Sequence, residues 1–330
     1  MPDRIKFVVT DYIEADLDWE VEQFSSRPVD FAYYQLKNAP IEELAAKTRD
    51  ADVILVNMAP ITRELIALWD RPKLVIRHGI GYDNVDVAAL TDAGIMFGYQ
   101  PDYCVEEVAE HAIALLFASA RKVVPGRKCL EKSSAAGKWD FSEVMPLYRM
   151  AGKTLGIIGC GRVGSRVLQK LQSFGFNFLV CDPYLSADRQ AELGIEVVDH
   201  ETLFRNADFI TCHTPLTPET RHMINAESLA LMKPTAYLIN TSRGPVVDHE
   251  ALAAVLRANQ IAGAAIDVYD VEPPPPDYPL FPLDNALLAP HLAWASEEAN
   301  WVIRKNIVGD VDRFTRGEGP RSWVNQKEMH

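Results

Sequence analysis

Cysteine is sparse and unpaired in this sequence: Cys104, Cys129, Cys160, Cys181 and Cys212 are odd in number, and none forms a C-x-x-C pair. That argues against a disulfide framework and against thiolate metal clips, so reduced thiols, an intracellular setting and no metal centre are expected. Positive charge is also short. With 33 Lys and Arg against 46 Asp and Glu, the formal net charge of −13 disfavours a polyanionic partner, because binding nucleic acid needs local cation excess. Direct nucleic-acid binding is not expected, and solubility is the plain consequence of the charge. Long apolar runs are missing too: the longest, near Ala112 to Ala120, is far too short to cross a bilayer, and no basic-apolar-small leader opens the chain. The expectation is a cytoplasmic protein with no membrane partner. Repeats and low-complexity tracts are absent, apart from Pro273 to Pro276, which can be neither helix nor central strand and reads as a stiff surface connection.

What is present suffices for two domains, since 330 residues at 48% hydrophobic composition can bury two cores. The most informative stretch is Leu155 to Asp182. An apolar run enters Gly159-Cys160-Gly161-Arg162-Val163-Gly164, an amphipathic stretch follows from Ser165 to Phe174, and a second apolar run from Phe176 to Cys181 ends at Asp182. This is the pattern of one βαβ unit that binds a dinucleotide. Gly159 permits a tight turn, Gly161 lets backbone N–H groups reach a pyrophosphate, and Gly164 lets helix and strand pack closely. Asp182 is placed to accept hydrogen bonds from an adenosine ribose, which favours NAD over a cofactor with a 2′-phosphate.

Upstream, Ile5 to Thr10, Ala51 to Val56 and Lys73 to Arg77 read as strands, with helical patterns at Ile41 to Arg49 and Thr62 to Trp69 between them. That alternation predicts a parallel α/β domain. His78-Gly79-Ile80-Gly81 follows the third strand, a turn able to aim N–H groups at an anion or simply to connect strand and helix. Val105 to Ala120 predicts a helix with acids early and Arg121-Lys122 at its end, apolar enough from Ala112 onward to be buried at a domain or subunit junction. Residues Val123 to Met150 break the pattern and read as an irregular arm. After the dinucleotide unit, helices are expected at Thr202 to Asn206, ending at Leu229 to Met232, and at His249 to Asn259. Strands are expected at Ala207 to His213, Ala236 to Thr241, Ile261 to Val268 and Ala286 to Ala289. Six or seven strands make a doubly wound sheet. A last helix, about Glu297 to Arg316, is expected to return to the first domain.

Three of these strands end in residues a core would not want: Arg243 in Asn240-Thr241-Ser242-Arg243-Gly244, Asp267 and Glu272 in the next, and His291 after Ala289-Pro290. Ligands bind beyond the carboxyl ends of strands in open sheets. An Arg, a Glu and a His gathered there provide a carboxylate clamp and a tuned acid/base.

With these residues the chain resembles the D-isomer-specific 2-hydroxyacid dehydrogenase family over nearly its whole length. The likeness is carried by Gly159 to Gly164, Asp182-Pro183-Tyr184, His213-Thr214-Pro215-Leu216-Thr217, Asn240 to Gly244, Asp267 with Glu272-Pro273, and Pro290-His291. It implies an NAD-binding Rossmann domain at 101–294, inserted in a smaller flavodoxin-like substrate domain at 1–100 and 295–330, with a dimerisation arm at about 121–150 and a homodimer. It also implies NAD as cofactor and a small 2-oxoacid or 2-hydroxyacid as substrate. By motif, Arg243 would hold the substrate carboxylate, His291 would be the acid/base, and Glu272 would orient it and favour its charged form. Gly79, Ile80 and Gly81 would bind the carboxylate through N–H groups. Asp267, His213, Thr214, Pro215, Thr220, Thr241 and Ser242 would line the cofactor, together with Arg162, Val163 and Cys104 near its phosphates.

Within the family the chain is most similar to the C-terminal-binding protein group of corepressor-like dehydrogenases. Arg77 to Asp86, Pro101 to Glu107 and His291-Leu292-Ala293-Trp294 carry that likeness. It implies an indole from Trp294 in the substrate pocket and Arg77 as a second cationic contact. Tyr99 replaces a usual Asn, and Cys104 a frequent hydroxyl residue. A short phosphoglycerate dehydrogenase, or an NADH-sensing binding protein, is the alternative function. Many phosphoglycerate dehydrogenases carry a further regulatory domain, whereas this chain stops soon after Trp323-Val324-Asn325.

Overall fold

The computed structural model describes residues 4–329, which divide into two compact units. The first runs through Tyr103 and resumes at Ser296; the second is Cys104–Ala295. Each boundary lies one to three residues beyond the position expected from the sequence.

The first unit holds a five-stranded parallel sheet of β1 (Ile5–Val9), β2 (Val29–Tyr33), β3 (Val53–Val56), β4 (Leu74–Arg77) and β5 (Met96–Gly98) in the order β2-β1-β3-β4-β5. That is the flavodoxin-like order. Period-two alternation sorts its side chains into two cores: Val8, Ile54, Val56 and Val75 face one side, while Phe7, Val9, Val53, Leu55, Leu74 and Ile76 face the other. Both faces are covered, as a parallel sheet requires. Truncating Ile54, which has no exposed surface, to Ala would cost about 2–5 kcal/mol. The edge strand β2 was not expected from the sequence. Its Asp30 and exposed Tyr33 interrupt the apolar run, and the strand is held by Phe31 against Phe7 and Phe24.

The last helix, Glu297–Thr315, begins at Ser296, whose hydroxyl accepts from the Ala299 N–H at 2.8 Å. It packs into the first unit through Ile303, Ile307, Val308 and Val311. Arg304 makes two 2.6 Å hydrogen bonds to the Glu20 carboxylate, and its guanidinium lies over the rings of Trp19 and Trp301.

The second unit has a six-stranded parallel sheet: β6 (Thr154–Ile158), β7 (Asn177–Cys181), β8 (Phe209–Cys212), β9 (Tyr237–Asn240), β10 (Gly263–Ile266) and β11 (Ala286–Leu288). The order is β11-β10-β9-β8-β6-β7, and a single Val180–Val197 bridge adds the start of a further strand beyond β7. Chain direction across the sheet reverses between β6 and β8, the switch point where doubly wound folds bind ligands. Helix Val105–Ala120 buries Ala109, Ala112, Leu115 and Leu116 in this unit's core, and Glu106 and Glu110 pair with Arg166 and Lys170 of the glycine-turn helix, Arg162–Leu171. One expectation needs correction. Val123 to Met150 is not irregular throughout, because Val123–Ala135 is helical despite Pro125 and Gly126. Pro125 occupies the first turn, where its missing N–H leaves no helical hydrogen bond unmade.

Candidate active site

The residues singled out from the sequence in the second unit lie past the ends of its parallel strands. After β6, Gly159 adopts φ +82°, and a side chain there would meet the His213 backbone oxygen at 2.9 Å. Gly161 faces open space, whereas a Cβ on Gly164 would collide with the Gly159 carbonyl. Helix Arg162–Leu171 starts at this turn, with Arg162 exposed and Val163 packed against the core. Asp182, beyond β7, accepts the Cys160 N–H at 2.8 Å and the Tyr184 N–H at 3.0 Å. Its carboxylate keeps further lone pairs for a ribose.

Past β8, the Thr214–Thr220 loop is closed by its own hydroxyls: Thr220 Oγ1 donates to the Pro215 carbonyl at 2.7 Å, and Thr214 Oγ1 to the same oxygen at 2.8 Å. His213 Nε2 meets Thr211 Oγ1 at 2.9 Å, and burial pulls the imidazole pKa down to about 4. Among the described residues, buried His213 Nδ1 and Thr241 Oγ1 have no protein partner. Ser242 Oγ instead donates to Asn240 Oδ1 at 2.7 Å. A glycine cradle open at Gly161, an acid at the next strand end and two orphaned polar atoms past neighbouring strands fit a dinucleotide, whose polar groups would meet them. Cys104 lies buried at the start of helix Val105–Ala120.

Beyond β9, β10 and β11 the side chains of Arg243, Glu272 and His291 are held by contacts between their loops. A Cβ on Gly244 would strike the backbone at Tyr269 and Asp270, so glycine alone lets the Arg243 loop pack on the Glu272 loop. Arg243 Nη1 donates to the Ser242 carbonyl at 2.8 Å. Tyr269 donates its N–H to Glu272 Oε1 at 3.1 Å and its hydroxyl to the Ala289 carbonyl at 2.8 Å, joining the loop after β10 to the one after β11. Glu272 Oε2 then lies 2.8 Å from His291 Nδ1, which leaves Nε2 for other work. Burial raises the Glu272 pKa, but the His291 hydrogen bond and charge, with help from the Tyr269 N–H and Arg243, more than offset it and hold the carboxyl below its usual value. His291 itself sits at φ +56°, a left-handed conformation that costs a non-glycine residue about 1–2 kcal/mol and so needs outside support.

Asp267 supplies part of that support. It is wholly buried, and its two oxygens accept the N–H groups of Leu292 and Ala293 at 2.9 Å each. The sequence suggested a cofactor contact for this residue; in the structure its two oxygens clamp the histidine loop. His111 Nε2 lies 3.3 Å from Asp267 Oδ1, a contact that sequence reading missed because His111 stands alone in an apolar helix. Trp294 is half-buried in the turn after His291 and belongs to no core cluster.

In the first unit, Gly79 after β4 has φ +144° and lies under the Arg77 guanidinium, which would be 2.9 Å from a Cβ there. Arg77 Nη1 donates to Asn57 Oδ1 at 3.2 Å and also to the His78 carbonyl. Among the described residues, the N–H groups of Ile80 and Gly81 donate to no protein acceptor, so the turn has donors to offer an anion. It is anchored by His78 Nε2, 2.9 Å from Glu14 Oε1 with both side chains buried. Asp11 accepts from the N–H groups of Asn57, Met58 and Ala59, fixing the neighbouring loop. No group of His, Cys, Asp and Glu among the described residues could hold a metal ion, and no helix there is long and apolar enough to cross a membrane.

A dinucleotide cradle joined to an Arg, Glu and His at one sheet edge defines an NAD(P)-dependent oxidoreductase acting on a CH–OH group. Comparison with known proteins narrows this class. Residues 113–293 match the family described as D-isomer specific 2-hydroxyacid dehydrogenase, NAD binding domain. The chain is 37% identical over 331 residues to a glyoxylate reductase of Korarchaeum cryptofilum, covering 99% of this chain and 94% of that protein. It is also 37% identical over 327 residues to a D-3-phosphoglycerate dehydrogenase of Methanocaldococcus jannaschii, covering 98% of this chain but 60% of the relative. Its fold is similar to that of a D-lactate dehydrogenase from Aquifex aeolicus complexed with NAD and lactic acid, with TM-score 0.85, 28% identity and coverage of 96% and 98%. An acyclic imino acid reductase in complex with NADPH and D-Arg is similar too, at TM-score 0.85 and 28% identity over 97% of this chain and all of that one. The chain belongs to the D-isomer-specific 2-hydroxyacid dehydrogenase family.

Proposed function

We propose that the protein reduces a small 2-oxoacid to a D-2-hydroxyacid, reversibly, with NAD(H). The observation that carries this reading is the 2.8 Å His291–Glu272 pair beside Arg243, at the sheet edge that also bears the glycine turn. When bound, the nicotinamide exchanges hydride with the substrate carbon. His291 donates a proton through Nε2 to the carbonyl oxygen during reduction and recovers it during oxidation, while Glu272 fixes the ring through Nδ1. Arg243 binds the carboxylate and polarises the keto group. In the first unit, the Ile80 and Gly81 N–H groups and Arg77 above Gly79 are donors suited to an anion. Asp182 favours NAD over NADP through its charge.

Glyoxylate is the preferred candidate among 2-oxoacids, because the likeness to a glyoxylate reductase runs along 94% of that relative and because Trp294 would narrow the pocket. Turnover of a 2-oxoacid panel with NADH and NADPH tests the reading; no reduction of any member would sink it. Trp294 and Arg77 also favour a second reading, an NADH-sensing protein similar to the C-terminal-binding protein group, which would bind NADH tightly and reduce every oxoacid slowly. A short phosphoglycerate dehydrogenase would instead show preference for the phosphorylated substrate.

A homodimer belongs to the same proposal. Val123, Leu130, Trp139, Phe141 and Met145 along the arm are exposed, Trp139 by 82%, and a cavity of about 280 Å³ lined by Ser119, Lys122, Glu143 and Tyr237 lies beside them. An apolar surface of this kind suits a second copy of the chain. Sedimentation as a monomer at micromolar concentration would remove it. Five cysteines outside any disulfide suit a cytoplasmic setting.

A further inference from the structure

We infer that His111 is a positioning residue for His291, acting through Asp267; this rests on the acid/base role proposed above. The links are short and all lie within the second unit. His111 Nε2 is 3.3 Å from Asp267 Oδ1, and the Asp267 carboxylate receives the Leu292 and Ala293 N–H groups at 2.9 Å each. Leu292 directly follows His291, whose φ of +56° persists only if its neighbours over-determine it.

Three features make His111 more than a packing residue. Asp267 has no exposed surface, and a buried carboxylate with only backbone donors lacks a countercharge. Among the described residues, the imidazole is the one basic side chain within reach of that carboxylate, and it comes from a different element, helix Val105–Ala120, whose buried residues are Ala109, Ala112, Leu115, Leu116 and Ala120. Buried Nε2 makes no hydrogen bond of good geometry, so its interaction with Asp267 is electrostatic attraction at close range. Without His111, Asp267 is a poorer acceptor for two N–H groups at once, the loop loses one anchor, and His291 leaves its left-handed setting. Ring displacement of about 1 Å at a proton donor can cost on the order of a hundredfold in rate.

The test uses the full chain and four variants: His111→Leu, His111→Asn, His111→Gln and, for reference, His291→Ala. Measured quantities are kcat and KM for glyoxylate reduction, NADH Kd by fluorescence, and Tm. Leu removes the polar contact, Asn is too short to reach Asp267, and Gln places an N–H near the Nε2 position. Expected for Leu and Asn is a roughly ten- to hundredfold loss in kcat with NADH Kd within twofold of wild type, and for Gln recovery of most of that loss. Should the Leu variant fail to fold, Asn against Gln gives the same contrast. Wild-type kcat in the Asn variant overturns the inference. So does a parallel loss of NADH affinity, which would make Asp267 a cofactor contact, and so does Gln no better than Asn. If His291→Ala turns over normally, the acid/base reading itself has failed; if it is crippled while the His111 variants are normal, only the present inference has.

Discussion

Both units of the molecule place a histidine and a glutamate together past the carboxyl ends of parallel strands, at nearly the same distance but with opposite exposure. His78 and Glu14 in the first unit are 2.9 Å apart with side chains 6% and 4% exposed; His291 and Glu272 in the second are 2.8 Å apart at 36% and 22%. Burial decides what each pair can do. The closed pair cannot reach a substrate, and its contact with Glu14 is a fixed brace under the Gly79 turn. The open pair uses only Nδ1 on its glutamate, so Nε2 can exchange a proton with another molecule. The backbone agrees with this division, because strain is stored at His291 itself, whereas on the first unit's turn it falls on a glycine that bears it cheaply.

The largest expected effect breaks the open pair. His291→Ala should lower kcat by about 10²–10⁴ in both directions with little change in NADH affinity, measured by steady-state kinetics and cofactor titration. A near-normal kcat would mean that another group moves the proton.

Breaking the closed pair should act on stability. Burial raises the Glu14 pKa, but its hydrogen bond and charge interaction with His78 dominate and bring it from 4.5 to about 2. A carboxylate depressed in the folded state contributes stability that is fully present above its unfolded pKa and is lost as pH falls through the folded one, here between about 4.5 and about 2. Integrated, that shift is on the order of 3 kcal/mol. Glu14→Gln should therefore unfold at lower urea near neutral pH and show a shallower loss of stability across the acid window. Urea titrations at a series of pH values would decide, and equal acid slopes in the two proteins would contradict the brace.

Smaller effects sharpen the site around the open pair. Asp182→Ala should cost NADH roughly tenfold in kcat/KM and narrow its advantage over NADPH, since charged hydrogen bonds contribute about 1.5–3 kcal/mol. Equal use of both cofactors by the wild type would remove Asp182 from that role. Trp294→Gly should shift preference toward bulkier 2-oxoacids by about 1–3 kcal/mol of lost apolar contact for those that pack on the indole. An unchanged substrate profile would make the indole structural.

Much of the second unit was legible because its chemistry stands at the ends of apolar runs. Gly159 to Gly164, Asp182, Arg243, Glu272 and His291 each follow a recognisable strand, and topology brings strand ends together. Glu272 was readable as a partner for His291 through family resemblance, while the Tyr269 contacts that fix it emerged only in three dimensions. The closed pair was invisible because Glu14 and His78 are 64 positions apart and Glu14 sits in no motif. His111 was hidden differently, as one ionisable residue within a helix whose apolar pattern predicts only burial. Edge strand β2 and helix Val123–Ala135 escaped because their local composition is mixed; the edge strand is held by aromatic contacts made after the chain has folded back.

The central claim is that Glu272 tunes an exposed histidine for proton transfer. The most direct measurement is kcat/KM for glyoxylate reduction against pH in wild type and Glu272→Gln, with NADH Kd determined separately. The pair holds Glu272 ionised, its carboxylate fixes the ring through Nδ1, and Gln keeps the shape while removing the charge. The account predicts that the variant loses kcat/KM for reduction while NADH binding stays nearly constant. Wild-type kcat/KM in the variant across the pH range would contradict it.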